Sequence, residues 1–299
     1  MTDPGDRIRA SFRGRLLKDE PMARHTSLRV GGAADFFAVP ADRTDLLQLI
    51  TALDELNLPR EIIGGGYNLL VRDGGVRGVV ISLAQLNFMA ATGSGAIHAE
   101  AGGRTIDLAR LAEAYSLAGL EFLSGIPGTV GGAVRMNAGA HGGEIFDGLD
   151  SLDILEQGAI RHYRKNSLDY GYRHLQLDSH KIIIAATFQL TAGNREEIAA
   201  AMNDCLQKRR TTQRVRYPNA GSFFKNPHGH SAWRLIDEAG LRGLTIGGAQ
   251  VSEVHANFLV NRGSATAADF ITLAAVVRDR VYKRSSIILE EEVRIMGEA

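Results

Sequence analysis

The stretch Gly125-Ile126-Pro127-Gly128-Thr129-Val130-Gly131-Gly132-Ala133-Val134-Arg135-Met136-Asn137-Ala138-Gly139-Ala140 is dense in glycine yet keeps apolar residues between the glycines. A flexible linker has the opposite character, Gly/Ser-rich and polar. Glycine in this setting permits positive φ and lets a ligand approach the backbone closely. Backbone N–H groups exposed in such a turn can form an anion-binding concavity. A second run, Gly64-Gly65-Gly66-Tyr67-Asn68-Leu69-Leu70-Val71, follows the apolar pair Ile62-Ile63 and shares the pattern. Two such loops in one chain fit a large, partly anionic cofactor held between backbone segments. A pair of tight structural turns would give the same composition.

A length of 299 residues suits two domains of ordinary size, and a hydrophobic fraction of 44% is ample for a core. Glycine, 34 of 299 residues, exceeds the average of about 7%, and the excess sits in these loops. The formal net charge is zero, which lacks the electrostatic footprint of a nucleic-acid binder. Lys208-Arg209-Arg210 with Arg214 and Arg216 is a local exception. It reads as a helix C-terminus favouring cations or as a contact to a diphosphate or 2′-phosphate. Cys205 is the single cysteine, so no intramolecular disulfide forms, which fits a reducing compartment. It lies on the apolar side of a predicted helix, as a small core residue would. No stretch resembles a signal peptide, and no run approaches the roughly 20 apolar residues of a membrane span. The expectation is a cytoplasmic monomer with neither a nucleic-acid nor a membrane partner.

Hydrophobic periodicity supplies the elements. Residues 1–22 are polar, a short helix or loose lead-in. Strands are predicted over 36–39, from 62, and over 79–83 and 96–101. Helices are predicted over 44–56 and 106–117, with Gly119 as the stop of the second. Residues 152–155 and 160–164 read as two strands joined through Gln157-Gly158. Residues 182–190 form the strongest strand signal. The helix over 195–210 is expected to open a second domain. Helices follow over 233–239, stopped at Gly240, and over 266–283, where Thr266 and Asp269 resemble a capping box. Residues 287–289 and 293–296 read as short strands. The outcome is an α+β chain with a cofactor-binding domain over 23–191 and a smaller domain over 195–299.

Several common chemistries are not signalled. There is no Gly-Lys-Ser/Thr of a P-loop, no G-x-G-x-x-G dinucleotide fingerprint and no G-x-S-x-G elbow. The histidines lack H-E-x-x-H spacing, and a lone cysteine gives no cysteine-rich zinc site. His228-Gly229-His230 reads as a solvated loop, and no metal is expected.

Six segments in order resemble the UDP-N-acetylenolpyruvoylglucosamine reductase family: His25-Thr26-Ser27-Leu28-Arg29-Val30-Gly31-Gly32 with Ala34-Asp35; Gly64 to Val71; Gly125 to Gly143; Ala220-Gly221-Ser222-Phe223-Phe224-Lys225-Asn226-Pro227; His255-Ala256-Asn257-Phe258; and Glu292-Val293-Arg294-Ile295-Met296-Gly297. The resemblance implies a PCMH-type, vanillyl-alcohol-oxidase-like FAD domain followed by a smaller α+β substrate domain. The short spacing between 182–190 and Gly221-Ser222 resembles the subtype without an extra tyrosine-bearing loop. Two positions depart from the pattern. Tyr67 stands where a small polar residue is usual, and His174-Leu175 follows Tyr172-Arg173 in place of a polar pair ending in serine, which weakens the placement of Arg173.

The resemblance further implies noncovalent FAD, NADPH as hydride donor and a UDP-sugar enolpyruvyl ether as substrate. The first loop lacks the His or Cys that related oxidases attach to flavin. Implied cofactor contacts are Gly64, Gly65, Gly66, Tyr67, Asn68 and Leu69 in the first loop. The second loop adds Gly125, Ile126, Pro127, Gly128, Gly131, Gly132, Asn137, Gly139 and Ala140, and the strong strand adds Ile183. Ser222 is implied as proton donor and Arg173 as carboxylate ligand. Glu292 is implied as a protonated donor or an orienting group. Lys225, Asn226 and His255 are implied substrate contacts. Another flavin oxidase of the same fold, or a non-catalytic nucleotide-binding regulator, would share much of this pattern.

Overall fold

Five strands pair antiparallel in the computed structural model, which describes residues 4–299. Their order is Ala159–Arg164, Leu149–Glu156, Ile182–Gln189, Ala96–Glu100 and Met89–Thr92. Ile182, Ile183, Ile184, Ala185 and Ala186 are buried in succession, because both faces of this central strand are covered. That explains its continuous apolar run. The hairpin turns at Gln157 and Gly158, with φ of 48° and 75°, the left-handed pair that two-residue turns favour. Thr105–Ala114 packs Leu108, Ala109 and Ala112, and Val130–Arg135 packs Val130, Ala133 and Val134, into the same core.

The chain forms two compact units. The first holds the described residues up to Lys18, Phe36–Gly65 and Val79–Arg209; the second holds Asp19–Asp35, Gly66–Gly78 and Arg210–Ala299. The sequence reading drew contiguous domains instead. Two features account for the difference. The helix Arg195–Thr212 does not open the second domain: Ile198, Met202 and Cys205 belong to the first unit's core. The strand Leu69–Val71 pairs in parallel with Arg294–Met296, Leu69 opposite Arg294 and Val71 opposite Met296. A ladder spanning that much sequence leaves no local signature.

In the first unit, Arg43–Glu55 buries Leu46, Leu49, Ile50 and Leu53 on one face. Asp42 caps it, accepting from Asp45 N at 2.8 Å. Arg60–Ile63 runs parallel to Val79–Ser82. Residues 1–3 of the expected lead-in lie outside the described residues. The rest is not loose: Pro4–Arg9 is helical, and Arg15–Pro21 is a strand that buries Leu16. The helix expected to reach Leu117 stops at Ala114, because Ser116 adopts φ 55° and ends it before Gly119.

In the second unit, an antiparallel sheet runs Asn219–Ser222, Phe258–Asn261, Ala249–Val251, Thr245–Ile246. The helix Ala267–Ser285 buries Phe270, Leu273, Ala274, Val277 and Val281. Its capping box forms, with Asp269 N donating to Thr266 Oγ1 at 3.1 Å and Thr266 N to Asp269 Oδ2 at 3.0 Å. Asp73 adds a second cap, accepting from Ala267 N and Ala268 N at 2.8 and 2.9 Å. The expected strand over 287–289 does not form. Leu289 is buried there but Ile288 is 66% exposed, and no ladder engages the segment among the described residues.

Candidate active site

The two glycine-rich segments meet within the first unit. A Cβ on Gly64 would stand 2.6 Å from Thr129 Oγ1 and 3.6 Å from Gly132 Cα. The second segment is rooted from below. Val130 N and Gly131 N donate to the carbonyls of Gly103 and Ala101, each at 2.8 Å, and Thr105 N donates to Gly128 O at 3.1 Å. Ser124 Oγ donates to Met202 O at 3.0 Å, and Arg209 donates to the Gly125 carbonyl. Gly125 is buried and Ile126 half-buried beside the exposed Pro127. Ile183 is buried in the sheet opposite Ile154.

The glycines divide into two kinds. Gly131, with Ala101 Cβ at 2.8 Å from a built Cβ, serves close packing. Gly128 has φ 147° and no heavy atom within 4 Å of that position, so its backbone faces open space. Open, glycine-lined backbone is what a dinucleotide diphosphate requires, and these residues fit FAD.

Arg173 belongs to this unit. Tyr170–Gly171 pairs with His174–Leu175, and Tyr172 and Arg173 form the turn between them. The departure from the family pattern therefore does not prevent the turn: Leu175 is buried and His174 exposed. Arg173 carries φ 55°, an uncommon conformation for a residue with a Cβ. Its Nη1 donates to Asn137 O at 3.1 Å and its Nη2 to Gly139 O at 2.6 Å. Glu144 Oε1 lies 3.6 Å from Nη1, and the Tyr172 ring stacks at 4.9 Å. Asn137, 1% exposed, donates from Nδ2 to Glu144 Oε2 at 2.8 Å and to Gly171 O at 3.0 Å. Asn137 and Gly139 thus hold the arginine as well as standing in the second glycine-rich segment, and Ala140 pairs with Gly143 beside them.

Ser222 and Glu292 lie in the second unit, with the rest of the first loop. Gly66 has φ 68° and closes against His25 O. Tyr67 is 47% exposed. Asn68 Nδ2 donates to Glu292 O at 2.9 Å, and Arg294 N to Asn68 O at 3.1 Å. Ser222 ends its strand opposite Phe258, just after Gly221 at φ 74°. Glu292 N donates to Phe223 O at 2.8 Å. The three consecutive glutamates separate here: Glu290 pairs with Lys225 at 3.5 Å and Glu291 with Arg278 at 2.7 Å, whereas Glu292 is tied by its backbone to Phe223 and Asn68.

Among the substrate candidates, Asn226 Oδ1 accepts from Ala232 N at 3.0 Å and caps the next helix. The His255 ring lies 4.6 Å from Phe258 and 6.4 Å from Trp233. Its Nδ1 is buried without a hydrogen-bond partner. Burial first, and the Arg242 charge second, push its pKa down and favour the neutral ring.

The sequence reading missed Glu144 and Asn257. Nothing local marks Glu144. Asn257 lies within His255-Ala256-Asn257-Phe258, where no local pattern marks its side chain.

The open, glycine-lined backbone fits FAD, and the comparisons make the chain an FAD-binding oxidoreductase with a PCMH-type domain. The family description "FAD binding domain" matches residues 34–162, and "UDP-N-acetylenolpyruvoylglucosamine reductase, C-terminal domain" matches 213–296. The UDP-N-acetylenolpyruvoylglucosamine reductase of Geotalea uraniireducens is 57% identical over 295 residues, 99% of this chain and 98% of that one. That of Geobacter metallireducens is 56% identical over 292 residues, 98% and 97% of the two chains. The crystal structure of MurB from Thermus caldophilus superposes with a TM-score of 0.80 at 34% identity, covering 95% of this chain and 98% of that one. The chain belongs to the UDP-N-acetylenolpyruvoylglucosamine reductase family.

Proposed function

We propose that Arg173, Ser222 and Glu292 are the catalytic residues of this family member. The chain is an FAD-containing, NADPH-dependent oxidoreductase that reduces UDP-N-acetylenolpyruvoylglucosamine to UDP-N-acetylmuramate for peptidoglycan synthesis. The glycine-lined backbone around Gly64, Gly128 and Gly132 would hold FAD, which would supply the hydride chemistry between NADPH and the terminal carbon of the enolpyruvyl group.

The protein's own residues manage the charge and the proton. Arg173 binds the enolpyruvyl carboxylate and stabilises the negative charge that develops toward it, since a planar guanidinium suits bidentate carboxylate contact. The carbonyls of Asn137 and Gly139 hold that guanidinium in place beforehand, which is how such a contact gains its effect. Ser222 Oγ gives its proton to the carbon next to the carboxylate; a hydroxyl is a weak acid, but an enolate carbon is basic enough to take it. Glu292 donates to or orients the same centre. Lys225 exchanges its exposed partner Glu290 for a substrate phosphate, and Asn226 and His255 complete the substrate contacts.

The observation that carries this reading is the 2.8 Å bond from Glu292 N to Phe223 O, which joins the glutamate's backbone to the residue after the serine. Purified protein carrying flavin absorbance should turn over NADPH beyond one equivalent per flavin only when the enolpyruvyl sugar nucleotide is present, and Ser222→Ala should lose that turnover. Full turnover by FAD-loaded Ser222→Ala would remove the serine from the mechanism. The protein is further proposed to act as a cytoplasmic monomer. In support of this location, no helix among the described residues is long and apolar enough to cross a membrane. Sedimentation of the holoenzyme tests the oligomeric state.

A further inference from the structure

We propose that Asn257 is a positioning residue for the Ser222 proton, an inference that rests on the role given to Ser222 above. Asn257 is 2% exposed and directly precedes the strand Phe258–Asn261. Its main-chain oxygen accepts from Phe223 N at 2.7 Å. Its side-chain Oδ1 accepts from Phe224 N at 3.0 Å, and its Nδ2 donates to Phe224 O at 2.8 Å. One residue therefore fixes three backbone groups immediately after the serine.

This hold is needed because the sheet stops supplying one. Asn219–Ser222 pairs with Phe258–Asn261 at Asn219↔Val260 and Ser222↔Phe258, with a register shift between. Gly221 turns the chain there with φ 74°. Irregularities of this kind re-aim a side chain at the end of a strand. Beyond Ser222 one edge of the segment bridges to Glu291, with Glu292 N donating to Phe223 O and Lys225 N to Glu290 O, and on the other edge the Asn257 amide stands in for the ladder with Phe258–Asn261. A carboxamide presents a donor and an acceptor on one short planar group at every pH, which a carboxyl does only when protonated, so it satisfies both the N–H and the C=O of Phe224. An apolar residue of the same size would fill the space and leave both buried groups unpaired.

Proton transfer demands that the donor oxygen stand within hydrogen-bond reach of its acceptor. Phe223 and Phe224 are each 1% exposed, so the segment that sets the serine's position is fixed from the protein side. Asn257 touches no reacting atom in this scheme; it acts through the backbone that carries Ser222. The His255-Ala256-Asn257-Phe258 segment thereby gains a function that its sequence did not disclose.

The test uses FAD-loaded Asn257→Asp and Asn257→Ala, with Ser222→Ala for comparison. Stopped flow separates reduction by NADPH from reoxidation by UDP-N-acetylenolpyruvoylglucosamine, and only the second needs the serine's proton. In Asn257→Asp a protonated carboxyl restores both bonds to Phe224, whereas an ionised one opposes the Phe224 carbonyl. Burial raises the pKa of the introduced carboxyl, so the impairment grows as pH rises. Reduction by NADPH should stay within about twofold of the parent, while reoxidation slows about a hundredfold at about pH 8, the loss expected from a misplacement of about 1 Å. It should recover toward the parent rate as the medium is acidified. In the flavin-free protein, the Phe223 and Phe224 amides should exchange hydrogen about tenfold faster in Asn257→Ala.

Unchanged reoxidation in Asn257→Asp at alkaline pH, with Ser222→Ala slowed, overturns the positioning role. Unchanged reoxidation in Ser222→Ala overturns the serine's role itself. Equal slowing of both half-reactions, with a lowered melting temperature and no recovery in acid, assigns Asn257 to folding alone and also overturns the proposal. Should Asn257→Ala not fold, Asn257→Asp in acid still provides the comparison.

Discussion

The side chain of Asn68 donates to the main-chain oxygen of Glu292 at 2.9 Å. The family resemblance implies a cofactor contact for Asn68, and here one N–H of its amide holds the segment that carries the glutamate, just ahead of the strand Arg294–Met296. Removing it leaves a part-buried carbonyl without its donor, at a cost of about 1–3 kcal/mol. Asn68→Ala should lower kcat about tenfold, the lower part of that range, with KM for NADPH nearly unchanged at saturating FAD. Steady-state kinetics decide it; an unaltered kcat would mean that the bond does not help to place Glu292.

Arg173→Lys keeps the charge but loses the fork that reaches Asn137 O and Gly139 O together. Loss of one preorganised contact typically costs about 3 kcal/mol of barrier, so kcat/KM for the enolpyruvyl substrate should fall about a hundredfold. Because the fork is bonded to the segment proposed to hold FAD, the flavin absorption band should shift as well. A normal kcat/KM would exclude Arg173 from carboxylate recognition.

Local chemistry made much of this protein legible. The apolar face of Arg43–Glu55, the Gln157-Gly158 turn and the Thr266/Asp269 capping box each depend on residues within a few positions of one another, and each is where the sequence put it. The strand Arg15–Pro21 was hidden because its residues are mostly polar. The division into units was hidden because Leu69–Val71 pairs with Arg294–Met296, a choice made by tertiary packing alone. At the site, the glycine loops were readable as backbone devices. The anchoring of Arg173 by Gly139 was not, since a carbonyl acceptor has no side chain to advertise it.

Gly139 is confined from two sides. A Cβ there would stand 2.5 Å from Gly143 O and 3.2 Å from Arg173 Nη1, and the first distance cannot be relieved by rotating a side chain. Gly139→Ala should therefore disturb both the cofactor segment and the arginine. We expect weakened FAD retention on gel filtration together with lowered turnover. Gly171→Ala, where a Cβ meets nothing within 4 Å, serves as the control. Equal FAD retention by the two variants would count against the packing argument.

Hydrogen bonds from the Thr266 and Gly248 backbone hold the Asp269 carboxyl below the usual carboxylate range. A depressed folded-state pKa contributes stability above the unfolded pKa and loses it as pH falls through the folded value. Asp269→Asn should cost about 0.3–1 kcal/mol at neutral pH, the usual range for a first-turn carboxylate charge, and the difference from the parent should shrink in acid. Urea melts at both pH values check the sign; a penalty that grows in acid would contradict it.

His255 provides the opposite kind of titration. Its ring packs against Phe258, and burial, then Arg242, lowers its pKa. The unfolded chain then binds a proton at a higher pH than the folded one, so stability falls as the medium is acidified through the unfolded value of about 6.5. His255→Phe keeps an aromatic ring beside Phe258 and removes the proton. Its melting temperature should fall less than the parent's between about pH 7.5 and pH 5, on either side of the ordinary histidine value. The same variant separates packing from recognition. If the ring also contacts substrate, KM for the enolpyruvyl sugar nucleotide rises while the gain in acid stability remains; an unchanged KM restricts His255 to the packing of Trp233 and Phe258.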